Sequence, residues 1–479
     1  MNYLSSKRKK TQTLCKLSFV KQTMACSLLL ISFLATAEAQ VKVPVKEQPN
    51  IIFIFADDWG MGDLASHGHP FLKTPVLDQL AKEGTDFSQF TVNSPVCSPS
   101  RAAVLTGKYP ARNQVHQHFA SKVLNEKHNM PDWLESDKVM LPRLLQQAGY
   151  KTAHYGKWHL TNMEFPNAPQ VNQYGYDDSM VWAGPTTDFR GTAHALLTKI
   201  AVDKTISFIE KNKQQPFFVN LWIHESHTPI KPTEAMKAEY PDTPEPYKSY
   251  YAVITEADKQ IGRLLTKLNK LGLDDNTLIV FSSDNGPELP QADSKRKTYY
   301  SRGSTGGLRG QKRSLMQGGV SVPFIVRWPG YTPTNKIDHS SVLTAVDLLP
   351  TFVAAAGGKL PQGYQGDGEN ILAAFKGENF TRSKAVFWDW RGYVNPKRDH
   401  WAQVGMREGE WKLLMTADGK RRELYNLKHN RFEQNDLQKQ YPQVAKSMVA
   451  VLKKWQQELP QSPYFTPATK GRKGKQANK

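Results

Sequence analysis

Short apolar runs punctuate this chain, and stretches of helical periodicity lie between them. Residues 51–55, 217–223, 278–281 and 324–328 are dominated by Ile, Val, Leu, Phe and Trp, and 152–155 favours extended backbone; runs of this length read as strands buried on both faces. Thr74-Pro75 opens a helix to about residue 82, with Thr74 as its cap and Pro75 in its first turn. Residues 196–211 and 252–271 form longer amphipathic helices, the second carrying Ile254, Ile261, Leu264, Leu265 and Leu268 at helical spacing. Strand and helix in alternation predict an α/β fold, a large and mostly parallel sheet sandwiched by helices. A Gly- and Pro-rich stretch over 357–368 interrupts the pattern. Beyond it, runs at 387–390, 401–407 and 411–415 precede a helix over 442–458, predicting a smaller C-terminal α+β domain, a short antiparallel sheet plus helix. The expected organisation is a leader over 1–39, a large domain over 40–378, a small one over 379–462 and a basic, flexible tail over 463–479.

Charge and cysteine usage narrow the setting. Lys7, Arg8, Lys9, Lys10 and Lys21 precede an apolar stretch over 24–35, and Ala37-Glu38-Ala39 matches an A-x-A cleavage site; this is the pattern of a signal peptide, with Gln40 as the expected first mature residue. Export to the periplasm or the medium follows. The apolar stretch falls short of the roughly 20 residues a spanning helix needs, and no later segment comes near that length, so no transmembrane anchor is expected. The whole chain carries a formal charge of +19, and the expected mature part keeps 57 basic against 43 acidic residues. Such a surface attracts polyanions, but no nucleic-acid module is recognisable and export disfavours that partner. Cys15 and Cys26 leave with the leader, so Cys97 stands alone and no internal disulfide is expected.

Two acidic pairs stand where predicted strands end. Asp57-Asp58 follows the run 51–56, and Asp284-Asn285-Gly286 follows 278–283. Ligands of open α/β sheets bind beyond the carboxyl ends of the strands, so the two pairs can converge. Three carboxylates and an amide oxygen make a hard, all-oxygen site suited to Ca²⁺ or Mg²⁺ and not to zinc; taken singly, each pair reads first as an ordinary cap or turn former.

Cys97 opens the run Cys-Ser-Pro-Ser-Arg-Ala-Ala-Val-Leu-Thr-Gly, ending at Gly107. A lone cysteine is most often a small buried hydrophobe, but this one has fixed neighbours: Pro99, Arg101 and Thr106-Gly107 resemble the signature of type I, formylglycine-dependent sulfatases. Asp57-Asp58-Trp59-Gly60, the cysteine run, Gly156-Lys157-Trp158-His159 and Asp284-Asn285-Gly286 fall in the order seen in sulfatases of the alkaline-phosphatase-like superfamily, of arylsulfatase or N-acetylgalactosamine-6-sulfatase type. The similarity spans roughly residues 50–357. It implies that a maturation enzyme oxidises Cys97 to formylglycine, whose hydrate is the nucleophile. It also implies a divalent cation, Ca²⁺ with Mg²⁺ as the alternative, held by Asp57, Asp58, Asp284, Asn285 and the oxidised Cys97.

A sulfate ester gathers negative charge on its outer oxygens in the transition state, and fixed cations lower that barrier. Lys157 and His159 follow the run 152–155 two residues apart, and Arg101 sits four residues into the cysteine run. By the resemblance, Lys312 takes the place of a sulfate-binding lysine, and His227-Thr228-Pro229 resembles a His-x-Pro motif whose histidine protonates the departing alcohol; His224 is a spare. Relatives commonly carry Glu-Gly-Gly-x-Arg-x-Pro where this chain has Gln317-Gly318-Gly319-Val320-Ser321-Val322-Pro323, so an acid and a base are missing together, as a swapped structural pair would leave them. Arg112-Asn113-Gln114-Val115-His116 also departs from the common Arg-His-Gly, and His116 and His118 are candidates for the pocket lining. Trp182, Trp388, Trp390 and Trp401 are candidates to stack on sugar rings, with Arg391, Lys397 and Arg398 binding neighbouring sulfates. The expected substrate is a sulfated polysaccharide or oligosaccharide, a carrageenan-like galactan or a glycosaminoglycan. A phosphodiesterase or phosphonate monoester hydrolase of the same superfamily, and a non-catalytic sulfated-glycan binding protein, are the alternatives.

Overall fold

The computed structural model describes residues 48–288, 301–392 and 399–460, apart from 187 and 190. The expected leader over 1–39 with Cys15 and Cys26, the expected cleavage point before Gln40, the expected tail over 463–479, and Lys397 and Arg398 lie outside the described residues. In chain order the strands are β1 (Asn50–Ala56), β2 (Thr85–Phe87), β3 (Phe90–Thr91), β4 (Lys151–Lys157), β5 (Asp178–Trp182), β6 (Phe217–Trp222), β7 (Thr277–Ser283), β8 (Phe324–Arg327), β9 (Lys336–Asp338), β10 (Leu343–Thr344), β11 (Val386–Asp389), β12 (Val404–Glu408), β13 (Trp411–Met415) and β14 (Arg422–Asn426).

Eight of them form one sheet in the order β5-β4-β6-β1-β7-β8-β2-β9. Its pairs are parallel except that β8 runs against both β7 and β2. Period-two alternation divides β1 between two cores. Ile51, Phe53 and Phe55 enter one with the helices Cys97–Thr106, Leu141–Gln147 and Leu348–Ala355; Ile52, Ile54 and Ala56 enter the other with Pro75–Lys82, Leu197–Asn212 and Tyr247–Lys270. Helices therefore cover both faces, as the apolar runs required. The helix expected from residue 252 starts earlier, at Tyr247. Thr74 stands at the N-cap of its helix but caps no N–H there; its hydroxyl accepts from Ala65 N at 2.9 Å and donates to Asp78 at 3.1 Å.

The C-terminal sheet is antiparallel, in the order β11-β12-β13-β14, with the helix Pro442–Gln457 beside it. The last strand, β14, was not foreseen because Arg422 and Glu423 break its apolar pattern. Trp388, Met406, Leu413 and Trp455 join the first of the two cores, so the small sheet is packed onto the large one's helical layer. Among the described residues no helix is long and apolar enough to cross a membrane.

Candidate active site

Carboxyl ends of β1, β4, β6 and β7 lie side by side in the large sheet, and the residues that leave them meet. Asp57 follows β1 directly; Asp58 has φ 64°, a left-handed turn that Asp tolerates better than most side chains. Asp284 and Asn285 leave β7, with Asp284 N bonded to Ala56 O at 3.0 Å. Lys157 ends β4 just after Gly156, whose φ of 111° and approach to Trp222 O, 2.0 Å from where a Cβ would stand, exclude any other residue. Ser226, in the turn beyond β6, donates its hydroxyl to Asp57 O.

Seven ionised or ionisable groups share this small volume. Lys157 Nζ is 2.7 Å from Asp57 Oδ2, which His224 Nδ1 also touches. Lys312 Nζ bonds both Asp58 oxygens at 2.6 Å. Arg101 gives Nε and Nη2 to Asp284 Oδ2 at 3.0 and 2.6 Å and Nη1 to Lys157 O at 3.1 Å. Its guanidinium thus holds the acidic frame around residue 97 in place. Burial alone would raise Asp57, but Lys157, His227 and His224 hold it well below the ordinary carboxylate range. Asp284 moves the other way, to about 6, because burial outweighs the pull of Arg101.

Oxygen atoms left over point to a cation. Asp57 Oδ1 and Asn285 Oδ1 are buried without a hydrogen-bond partner, a costly condition for bare acceptors. Asn285 Nδ2 donates to Asp58 Oδ1 at 2.7 Å and to Gly286 O at 2.9 Å, which fixes the orientation of the amide and leaves Oδ1 bare. Asp57, Asp58 and Asp284 each offer an oxygen within 4.8 Å of the other two. Such a donor set fits a hard divalent cation, as the sequence suggested.

Cys97 begins the helix Cys97–Thr106 and is buried. Burial pushes its thiol up against the pull of Lys157 and Lys312, and a protonated thiol is a weak nucleophile. His159 Nε2 lies 3.1 Å from Phe119 O, which can only accept, so Nε2 carries the hydrogen and Nδ1 presents a lone pair 3.2 Å from Cys97 Sγ. Ser98 Oγ in turn accepts from Phe119 N at 3.1 Å, tying that loop to the cysteine helix. Burial, then Lys157, keeps the His159 imidazole neutral. His227 Nδ1 is 2.8 Å from Thr228 O, leaving Nε2 for the pocket.

Every expected site residue therefore falls in one cluster, together with three that the sequence left aside or missed: His224, demoted to a spare, bonds Asp57; Ser226 and the Phe119 loop carried no local signal. Some expectations about sugar contacts fail. Trp388, Trp390 and Trp401 are at most 1% exposed and cannot stack on a ligand; they are core, with Trp388 Nε1 bonded to Val92 O at 2.8 Å. Trp182 is half-buried beside His194 and His224. Arg391 is half-buried and pairs with Asp389 at 2.9 Å. His118 lies with its ring 6.1 Å from that of His159, whereas His116 is buried 3.7 Å from Asp389.

A buried ion pair stands behind Gln317-Gly318-Gly319. Lys412 Nζ of β13 lies 2.7 Å from Glu433, with both side chains fully buried, and bonds Leu315 O at 2.8 Å and Gln317 Oε1 at 3.0 Å. Glu433 also accepts from Gln317 N at 2.5 Å. Gly319 O then accepts from Gly286 N at 2.9 Å, next to Asn285. The ion pair of the C-terminal sheet thus fastens the Gly-Gly turn behind the oxygen cluster.

Fold and site together define a cluster of oxygen donors, with room for a cation, at the carboxyl edge of an α/β sheet. Family comparison gives the chain a class: the Sulfatase family matches residues 49–358, and the family described as N-sulphoglucosamine sulphohydrolase, C-terminal, matches 310–458. N-acetylgalactosamine-6-sulfatase of Mus musculus is 30% identical over 74% of this chain and 71% of its own length. Arylsulfatase A of Bos taurus is 31% identical over 78% and 75%. The crystal structure of Ps i-CgsB in complex with k-i-k-neocarrahexaose is similar with a TM-score of 0.72 and 27% identity, covering 88% of this chain and 95% of that one. The chain belongs to the sulfatase family, as a type I sulfatase of the alkaline-phosphatase-like superfamily, and is a sulfuric ester hydrolase.

Proposed function

We propose that this enzyme removes sulfate from a sulfated polysaccharide or oligosaccharide, a carrageenan-like galactan or a glycosaminoglycan, after export and after a maturation enzyme has converted Cys97 to formylglycine. The observation that carries the mechanism is the pairing of a buried, unreactive Cys97 thiol with the lone pair of His159 inside a ring of cations. The hydrate of an aldehyde at position 97 supplies two hydroxyls, one to bond sulfur and one through which sulfate is later expelled as the aldehyde returns. His159, oriented by Phe119 O, takes the proton of the second hydroxyl at Nδ1. Lys157 and Lys312 give up their carboxylate partners in part to the incoming sulfate oxygens. His227, whose hydrogen is held on Nδ1 by Thr228 O, takes the proton of the attacking hydroxyl at Nε2 and passes it to the leaving-group oxygen. Asp57, Asp58, Asp284 and Asn285, with the oxidised residue 97, would hold Ca²⁺ or Mg²⁺, a cation that would supply Lewis acidity toward a sulfate oxygen and favour the ionised nucleophile.

A solved neighbour supports the glycan reading: Ps i-CgsB was crystallised in complex with k-i-k-neocarrahexaose. The mature excess of 57 basic over 43 acidic residues supports it as well. The test is a panel of sulfated and phosphorylated esters and sulfated glycans, assayed with enzyme whose Cys97 peptide has the mass of formylglycine. Sulfate release from a sulfated glycan is expected. Release of phosphate alone, or of sulfate from small aryl esters alone, would overturn the proposal.

A further inference from the structure

Away from the oxygen cluster, three adjoining cavities of about 260, 290 and 370 Å³ form a groove between the β2–β9 edge of the large sheet and the C-terminal sheet. His339 lines all three; Arg431 lines the first and second, and Arg407 and Lys428 the second and third. Because β8 runs against both β7 and β2, β2 points the same way as β1. Ser88 and Gln89 therefore leave the sheet at the edge from which Asp57 and Asp284 emerge, and Met61, four residues beyond Asp57, lines the first cavity.

Two guanidinium groups of the groove are bonded only to neutral acceptors, although Asp86 lines the first cavity and Glu410 the third, and Glu433 acts on Arg407 from a distance. Arg407 is 3% exposed and gives Nε to Gly409 O at 2.9 Å and Nη2 to Gln89 Oε1. Arg431 gives Nη2 to Ser88 O at 2.8 Å. These acceptors are neutral, and among the described residues neither guanidinium pairs with a carboxylate. Asp86, in the first cavity, is already 2.5 Å from His67, and Arg382 nearby is taken up by Asp347. Burial, then Arg382 and Arg431, holds the Arg407 guanidinium down at about 10. A buried guanidinium bonded only to neutral acceptors is unfavourable unless an anion can reach it, and the guanidinium fork matches a pair of oxygens on a tetrahedral oxyanion such as phosphate or sulfate.

We propose that this groove is an accessory subsite for an oxyanion, and that it takes a sulfate ester borne by the same glycan chain at a distance from the ester being cleaved. The assignment rests on the glycan reading above. Arg407 and Arg431 hold the sulfate oxygens, Lys428 adds charge at the mouth, and the exposed Phe432 and Ile337 give the first cavity an apolar wall for the sugar. A chain anchored there is presented to the catalytic edge of the sheet in one direction.

The test uses the full, matured chain and the double variant Arg431→Gln/Lys428→Gln, both outside the catalytic cluster, with Arg407→Gln as a second variant checked for an unchanged Tm. Binding to dextran sulfate is measured against added salt, beside turnover of 4-nitrophenyl sulfate, which is too small to span both sites. The expected result is a dissociation constant about tenfold higher and less salt-dependent, with 4-nitrophenyl sulfate turnover unchanged. An unchanged dissociation constant overturns the proposal, as does an equal loss in the control Lys204→Gln/Lys270→Gln, which would trace binding to bulk charge. Displacement by inorganic sulfate far beyond that by chloride of equal ionic strength would reassign the groove to the free ion. Should the enzyme release no sulfate from any ester, the function reading fails while this binding comparison still stands.

Discussion

Deleting one charge of the Lys412–Glu433 pair should be far more harmful than deleting both. The pair is 0% exposed on each side, and burial pulls the Lys412 ammonium down and pushes the Glu433 carboxyl up despite their attraction. Glu433→Gln leaves an ammonium with only Leu315 O and Gln317 Oε1 for company, and an uncompensated buried charge of this kind costs about 3–5 kcal/mol. Lys412→Met leaves the opposite charge stranded and should cost a similar amount. Lys412→Met/Glu433→Gln removes both, and should return to within about 1–2 kcal/mol of the parent, a coupling that independent sites do not show. Urea unfolding at constant m-value measures all four proteins, and sulfate release measures the consequence for Asn285 through Gly286 and Gly319. Folded single variants should release sulfate more slowly, and the double variant should recover. Single losses below about 1 kcal/mol, or strictly additive ones, would refute the account of a strongly coupled buried pair.

Other outcomes follow from the same geometry. Cys97→Ser should fold with an unchanged Tm and lose turnover by about a thousandfold or more, since a serine has no second hydroxyl through which to expel sulfate; retained turnover would remove the formylglycine step. Lys157→Ala and His227→Ala should each lower kcat about 10²- to 10⁴-fold while the fold survives, as checked by circular dichroism beside the rate. Chelation by EDTA followed by desalting should abolish sulfate release, with recovery on adding Ca²⁺ or Mg²⁺ but not zinc, because the bare acceptors are oxygens. His154 is buried among Trp158, Tyr176 and Trp222, and burial lowers it to about 3 from 6.5. The unfolded chain alone takes up its proton between those values, so its contribution is intact above pH 6.5 and lost as pH falls below it. Relative to His154→Phe, the parent should lose about 1.5–2 kcal/mol between pH 6.5 and about 5 in urea titrations; parallel curves would contradict a neutral, buried imidazole.

Local pattern carried much of this protein. The apolar runs of β1, β6, β7 and β8 and the helical spacing of Ile254 through Leu268 are properties of a few neighbouring residues, so they could be read without partners. Asp57-Asp58 and Asp284-Asn285 were legible for the same reason: a strand that ends in oxygen donors marks the ligand edge of an α/β sheet. Cys97 was legible through the resemblance of its neighbours Pro99, Arg101 and Thr106-Gly107 to a family signature.

What tertiary structure decided depends on pairs far apart in the chain. The reversed direction of β8, the bond from Arg101 to Asp284 and that from His159 to Cys97 have no local signature, because sheet order brings those groups together. Trp388, Trp390 and Trp401 look like ligand platforms in a sequence, since an aromatic residue serves equally in a core or on a surface, and only packing against the large sheet's helical layer buries them. Lys412 and Glu433 read as solvated charges until β13 and the turn after β14 meet over Gln317. The sequence determined which atoms this enzyme has for its chemistry; the long-range pairing of strands decided which charges are buried together, and burial gives those charges their effect.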